Sequence, residues 1–327
     1  MKAIVYTEYG PPEVLRLAEI EKPEPKDNEV RIRVHATTAS SSDSNVRGFV
    51  FVPPGFKFMS RLMFGLRGPR KQVPGIEVSG VVDAVGRDVT RFTVGDAVFG
   101  LTGMRLGAYA EYVCVPEGAG LVTKPEHITF EEAAAIPNGA LTALTFLKNR
   151  ANVQPGQTVL VIGASGSMGS AAVQIAKHYG AEVTGVCSTR NIELVQSLGA
   201  SRVIDYTKED ALSSGETYDL IFDTVGSTSF GGCKHALKPG GMYLAGSGGP
   251  GPLFQALWTG LMGGKKVKAG PSSERHEDLS VVKALVEAGA IKPVIDRCYP
   301  MEEIVEAHRY VDTGRKRGNV VIRVAAG

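Results

Sequence analysis

The chain has 327 residues, 43% of them hydrophobic and 21% charged, and a formal net charge of +2. That leaves room for two hydrophobic cores, and so balanced a charge argues against nucleic acid or an acidic membrane as the main partner. Cys114, Cys187, Cys233 and Cys298 form no CxxC pair and no apolar run reaches membrane-spanning length, so a reducing, cytoplasmic setting with no membrane partner is expected.

The first ~125 residues read as β-rich. Strands are predicted over 3–7, 29–36, 77–85 and 110–115, split by turn signals such as Gly10-Pro11-Pro12 and Val94-Gly95-Asp96. The segment 49–71 breaks this pattern by mixing Phe49, Phe51, Phe58, Met59 and Leu62 with Lys57, Arg61, Arg67, Arg70 and Lys71. It reads either as a helical insert or lid, with Phe49 and Phe51 lining a substrate pocket, or as a surface loop with its own small apolar cluster.

A helix over 131–149, interrupted by Pro137, leads into alternating elements. Strands are predicted over 158–162, 182–187, 202–205, 220–223, 241–245 and 266–269, with helices in the gaps. This is the pattern of an α/β, doubly wound parallel sheet. After a helix near 278–288, a strand (293–299), helix (301–312) and strand (319–324) return to complete the first domain. The expected division is 1–125 with 291–327, around 126–290.

The richest stretch is VLVIGASGSMGSAAVQIAKHYGAEVTGVCSTRN, residues 159–191. An apolar strand meets glycines at 163, 166 and 169, then a helix and a second strand. Glycines at this spacing let the chain turn sharply, admit a pyrophosphate to bare backbone and pack helix on sheet. The amides of Ser165, Gly166, Ser167, Met168 and Gly169 then face the phosphates. Where an acid normally grips the ribose of NAD, this chain has Ser188, Thr189 and Arg190. Hydroxyls and a guanidinium suit the additional 2′-phosphate of NADPH; the alternative is a solvated charge at a strand end.

VPGIEVSGVVDAVGRDVTRFTVGDAVFG, GAYAEYVCVP, AAAIPNGALTAL and the glycine unit, in this order, resemble the medium-chain dehydrogenase/reductase superfamily. More narrowly, they resemble its zinc-free quinone oxidoreductase and enoyl reductase branch. The resemblance covers essentially the whole chain. It implies a GroES-like catalytic domain beside a Rossmann cofactor domain, hydride transfer in a cleft between them, and a homodimer. Zinc relatives carry their metal ligands where this chain has Ser40, Ile76 and Asn138, and the cysteine-rich structural lobe has no counterpart over 100–107. Catalytic zinc takes about three Cys, His or carboxylate ligands, so no metal is expected. Without a Lewis acid to hold charge on one oxygen, acceptors that spread the charge are favoured, namely quinones and conjugated carbonyls.

By the same resemblance Ser40 faces the nicotinamide and donates to the substrate oxygen, where many relatives carry Asn; the plainer reading makes Ser40-Ser41-Ser42 a polar turn fixed by Asp43. Glu77 reads as the structural partner of a cation. Asn138 and Thr142 are expected near the nicotinamide or its ribose, and Lys177 and Tyr206 near the 2′-phosphate, unless Tyr206 packs on the sheet. Val225 and Gly226 follow the fourth parallel strand, and Gly246, Ser247 and Gly248 the fifth. Asn319 and Val320 match backbone that bonds the carboxamide. The expected activity is NADPH-dependent reduction of a quinone or α,β-unsaturated carbonyl. The rivals are a zinc-independent alcohol or aldehyde oxidoreductase, and a nucleotide-bound binding or regulatory protein with little turnover.

Overall fold

The computed structural model describes residues 1–50, 52, 57–66, 68–247, 250–261 and 263–324. The chain forms two compact units, Met1–Pro137 with Glu274–Ala284 and Pro293–Gly327, and Asn138–Ser273 with Leu285–Lys292. Residues 126–137 and 274–284 thus belong to the first unit, not the second as expected from sequence.

The first unit opens with β1 (Lys2–Val5), β2 (Arg16–Glu19) and the long β3 (Glu29–Ala39). Val30, Ile32, Val34 and Ala36 of β3 are fully buried, while Arg31 between them turns to Asp83 at 2.8 Å, the period-two signature of a strand with one face in a core. Helices α1 (Ser41–Gly48) and α2 (Lys57–Phe64) follow, then β4 (Glu77–Val85), β5 (Ala97–Leu101), β6 (Tyr112–Pro116), β7 (Leu121–Thr123) and α3 (Phe130–Ala134). The helical reading of the 49–71 insert is therefore met by α2.

In the second unit, α4 (Pro137–Leu144) runs into a π-helical segment, Thr145–Arg150, so the expected helix over 131–149 is three pieces. Alternating elements follow: β8 (Thr158–Ile162), α5 (Ser167–His178), β9 (Glu182–Cys187), α6 (Ile192–Ser197), β10 (Arg202–Asp205), β11 (Tyr218–Asp223), α7 (Phe230–Cys233), β12 (Leu237–Ala245), α8 (Pro250–Leu261) and β13 (Lys266–Lys268). The strands are parallel in the order β10-β9-β8-β11-β12-β13, the doubly wound arrangement whose order reverses beside β8. β12 begins four residues before the predicted strand. Pro239-Gly240-Gly241 forms a bulge between the Tyr218↔Leu237 and Leu220↔Met242 pairs, with Gly240 at φ +75°.

Helix α9 (His276–Glu287) is followed by β14 (Ile295–Pro300), α10 (Ile304–Asp312) and β15 (Asn319–Arg323). β15 pairs antiparallel with β3, Val320 opposite Ala39, in a seven-stranded sheet running β14-β15-β3-β4-β5-β7 with β6 also on β3. The return of the tail to the first domain is as expected.

Candidate functional site

In the second unit the sheet delivers the glycine turn at the carboxyl end of β8. Gly163 sits at φ +80°, and a side chain there would meet Val225 and Thr224. A Cβ on Gly169 would lie 2.1 Å from the Gly163 carbonyl oxygen, so α5 approaches the turn only because residue 169 is glycine. Gly166 is the N-cap of α5, and no side chain caps the helix amides. Bare amides at the positive end of a twelve-residue helix are a ready anion site.

Asn191 organises the neighbouring strand end, and sequence reading missed it. Its amide Nδ2 donates to Ser165 Oγ at 3.0 Å and Ser188 Oγ at 3.3 Å, joining the glycine turn to the end of β9. The Asn191 Oδ1 is buried and has no protein partner. An orphaned acceptor is costly without a ligand, and a dinucleotide's ribose hydroxyl would satisfy it. Arg190 is exposed beside these groups.

Thr189 is not available to a phosphate: its hydroxyl donates to Asp205 at the end of β10. Thr207 completes the grip on that carboxylate through its N–H (3.0 Å) and hydroxyl (2.7 Å), with Lys208 Nζ 3.6 Å away. These bonds, Thr189's foremost, hold Asp205 down at about 2. A cavity of about 580 Å³ opens here, lined by Ile162, Val186, Tyr206, Thr207, Ser227 and Thr228 among others. Tyr206 is 62% exposed at its rim and does not pack on the sheet.

The loop after β11 is built by Asp223, fully buried, which the sequence reading also passed over. Its Oδ1 accepts from the N–H groups of Val225 (3.1 Å) and Gly226 (2.7 Å), and its Oδ2 from Thr228 N–H (3.0 Å). Gly226, at φ +72°, lies against Ser247, and Gly246 fits only as glycine between Met168, Phe222 and the Asp223 carbonyl. Gly139 of α4 abuts Ser167, which brings Asn138 and Thr142 beside the same turn; the Thr142 hydroxyl donates to the Asn138 carbonyl at 2.8 Å. Gly248 lies outside the described residues.

Lys177 does not join this group. It occupies the last turn of α5, with its aliphatic stem over Gly199. Ten residues of helix place it about 15 Å from the α5 amides, so its expected position by the 2′-phosphate is corrected.

In the first unit Ser40 is the N-cap of α1 in a capping box. Its Oγ donates to Asp43 Oδ2 at 2.6 Å, its N–H donates to the same oxygen at 2.9 Å, and Asp43 N–H returns a bond to Ser40 Oγ at 3.2 Å. Asp43 is buried, and loss of hydration pushes its carboxyl up to about 6. Phe49 terminates α1 in the left-handed region (φ 53°) and is buried against Tyr9 and Phe64, with Arg61 stacked over it. It belongs to an apolar cluster of the insert rather than to an open pocket wall; Phe51 lies outside the described residues. Asn319 uses its amide on the carbonyls of Ala135 (2.8 Å) and Val294 (3.1 Å), and Val320 is fully buried opposite Ala39, next to Ser40. Buried Glu77 accepts from the Thr38 hydroxyl and acts electrostatically on Lys316. Among the described residues no three His, Cys, Asp or Glu side chains converge as a metal site, and no helix is long and apolar enough to cross a membrane.

Residues 26–126 match the model of the alcohol dehydrogenase GroES-like domain, and residues 198–322 that of a zinc-binding dehydrogenase. A 2-methylene-furan-3-one reductase from Solanum lycopersicum is 34% identical over 98% of this chain and 79% of its own length. A quinone oxidoreductase from Sus scrofa is 32% identical over 94% and 93%. The structure of the quinone oxidoreductase from Coxiella burnetii superposes with a TM-score of 0.86, at 30% identity over 99% of both chains. The chain belongs to the medium-chain dehydrogenase/reductase superfamily, in its quinone oxidoreductase-like branch, and is a nicotinamide-dependent oxidoreductase of the quinone and enone reductase type.

Proposed function

We propose that the chain reduces quinones and α,β-unsaturated carbonyls with NADPH as its preferred coenzyme and without zinc. The observation that carries this reading is the end of β9, where Ser188 and exposed Arg190 stand in place of a ribose-binding acid and Asn191 ties them to the glycine turn. The acid of the next strand, Asp205, is already occupied by two threonines. The names of the relatives above support the same substrate class.

In this reading the α5 amides receive the pyrophosphate, Ser188 and Arg190 bind the 2′-phosphate through charge-assisted hydrogen bonds, and Asn191 Oδ1 takes a ribose hydroxyl. When bound, the nicotinamide supplies the hydride. Asn138 and Thr142, with the Val225–Gly226 and Gly246–Ser247 turns, orient that end of the coenzyme, and orientation of the reacting pair is the main catalytic contribution. Ser40 is the residue proposed to meet the substrate oxygen, by exchanging its bond to Asp43 for one to the acceptor. Ser40, Ile76 and Asn138 supply none of the ligand types zinc requires, which suits acceptors that delocalise their own charge.

The test follows NADPH absorbance against quinones, enones, simple ketones and aldehydes, with and without a chelator. Oxidation by the conjugated acceptors alone, unchanged by chelation, is expected. Alcohol-dependent reduction of NADP, activity abolished by the chelator, or tight NADPH binding with no acceptor at all would each overturn the reading.

A further inference from the structure

The capping box of α1 buries its acid, which a cap alone does not require. A capping acid is ordinarily left in contact with solvent, as aspartate and glutamate mostly are. The equivalent box of α3 follows that rule, pairing Thr129 with a partly exposed Glu132. Asp43 is only 2% exposed. Its Oδ2 takes both bonds from Ser40, while its Oδ1 is buried with no hydrogen-bond partner. A carboxylate oxygen left in that state is costly, and a proton on the carboxyl removes the cost.

The surroundings supply no charge that would hold Asp43 ionised. Arg47, one turn further along α1, gives its three arms to the Gly10 carbonyl (3.1 Å), His308 Nδ1 (2.7 Å) and Asp312 (2.6 Å). Tyr6, beside β1, and Tyr109, ahead of β6, are coupled to Asp43 electrostatically, and burial holds both phenols protonated. Tyr109 gives its proton to the Thr38 carbonyl, and His308 beyond it is neutral. Glu77 also acts on Tyr109, with a charge of the same sign as an ionised Asp43. Loss of hydration therefore dominates and raises the Asp43 carboxyl to about 6, nearer the range where a proton donor works at neutral pH. Ser40 is partly exposed and Asp43 is not, so the Ser40 hydroxyl, 2.6 Å away, is the bonded group through which a proton reaches the carboxyl.

We propose that Asp43 is the proton store of the reduction and discharges through Ser40 onto the acceptor oxygen, an inference that rests on the reductase reading above. Hydride transfer from the coenzyme leaves an electron pair on that oxygen. The Ser40 O–H bond breaks as its proton bonds to the acceptor, and the Asp43 O–H bond breaks as its proton passes to Ser40 Oγ. The serine hydroxyl is restored, and the negative charge ends on the Asp43 carboxylate, which the Ser40 N–H and hydroxyl hold. Once the product has left, solvent water returns a proton along the same two oxygens. Asp43 thus acts through Ser40 and not on the acceptor itself.

Two readouts test this, one of them independent of activity. Infrared difference spectra of the full chain without coenzyme should show the carbonyl band of a protonated carboxyl that disappears as pH rises through about 6 and is missing from Asp43→Asn. Turnover of NADPH with a quinone at saturation should be level below about pH 6 and fall about tenfold per pH unit above it. Asp43→Asn should lower turnover about a hundredfold and abolish that fall, with its melting temperature verifying the fold. Ser40→Ala cuts the route but spares the store, so it should lose the fall with pH and retain the infrared band; it serves even where Asp43→Asn does not fold. A band that is absent, or that persists in Asp43→Asn, overturns the proposal, as does a pH profile that either variant leaves unchanged. Those results leave the reductase reading standing. NADPH oxidised by no acceptor at all overturns that reading and the discharge step with it, whatever the band shows.

Discussion

Arg47 donates from Nη1 to Nδ1 of His308 at 2.7 Å, inside the first unit. A guanidinium has no acceptor, so this imidazole is neutral with its proton on Nε2, which faces the Tyr109 hydroxyl at 3.0 Å. Tyr109 donates in turn to the Thr38 carbonyl at 3.0 Å, two residues before Ser40. The second arm of Arg47 is fixed by Asp312 at 2.6 Å.

This arrangement predicts a pH dependence of stability. Burial, and then Arg47, push His308 down to about 3, whereas an unfolded histidine titrates near 6.5. The stability owed to neutral His308 is therefore complete above about pH 6.5 and is lost as pH falls towards 3. Asp43 acts in the opposite sense: its carboxyl is raised to about 6, so its contribution is present at low pH and lost as pH rises through 6. His308→Gln removes only the first effect. The variant should be less stable than the parent at pH 7 and should regain ground as pH falls from 6.5 to 4, by on the order of 1 kcal/mol per pH unit. Urea unfolding at a series of pH values measures this, and a difference that does not change with pH would exclude His308 as the titrating group.

Arg190→Glu should raise the dissociation constant for NADPH about 30-fold or more, the worth of a charge-assisted phosphate contact, while moving that for NADH by less than about threefold. Fluorescence titration of the two coenzymes reads both values. An equal loss for both would remove the 2′-phosphate assignment of the β9 end.

Gly169→Ala places a methyl group 2.1 Å from the Gly163 carbonyl oxygen. The turn has to open, at a cost of about 2 kcal/mol or more, and NADPH binding should fall with it. An unchanged urea midpoint would show that the α5–turn contact relaxes freely.

Ser40→Ala removes the N-cap of α1 and should cost about 1 kcal/mol, with Ser40→Asn recovering most of it. Turnover of the folded variant at saturating coenzyme should fall by about a hundredfold, the range of acid–base assistance, because the hydroxyl that exchanges Asp43 Oδ2 for the acceptor oxygen is gone. A fall of less than about tenfold would remove Ser40 from the acceptor.

The predicted strands 158–162, 182–187 and 202–205 coincide with β8, β9 and β10, because each is an apolar run bounded by its own turn residues. Other features were illegible for identifiable reasons. Asn191 and Asp223 look like ordinary strand-end polar residues, and their importance comes from which amides and hydroxyls the fold brings to them. Lys177 looked like a phosphate ligand until its place at the far end of α5 was known. Phe49 looked like a pocket wall, but a left-handed helix end turns it onto Tyr9.

Sequence alone determined the doubly wound order of elements, the site of the glycine turn, the hydroxyls and cation at the end of β9, and the residue types at the positions where zinc relatives carry their ligands. These are properties of short segments, set by periodicity, turn chemistry and donor type. Only the tertiary structure decided that Thr189 serves Asp205, that Asp223 builds the loop after β11, and that α8 turns Trp258 outward with Ala256 against the sheet. Those outcomes depend on which segments meet, and a hydrophobic period carries little information about which face of a largely apolar helix the protein will cover.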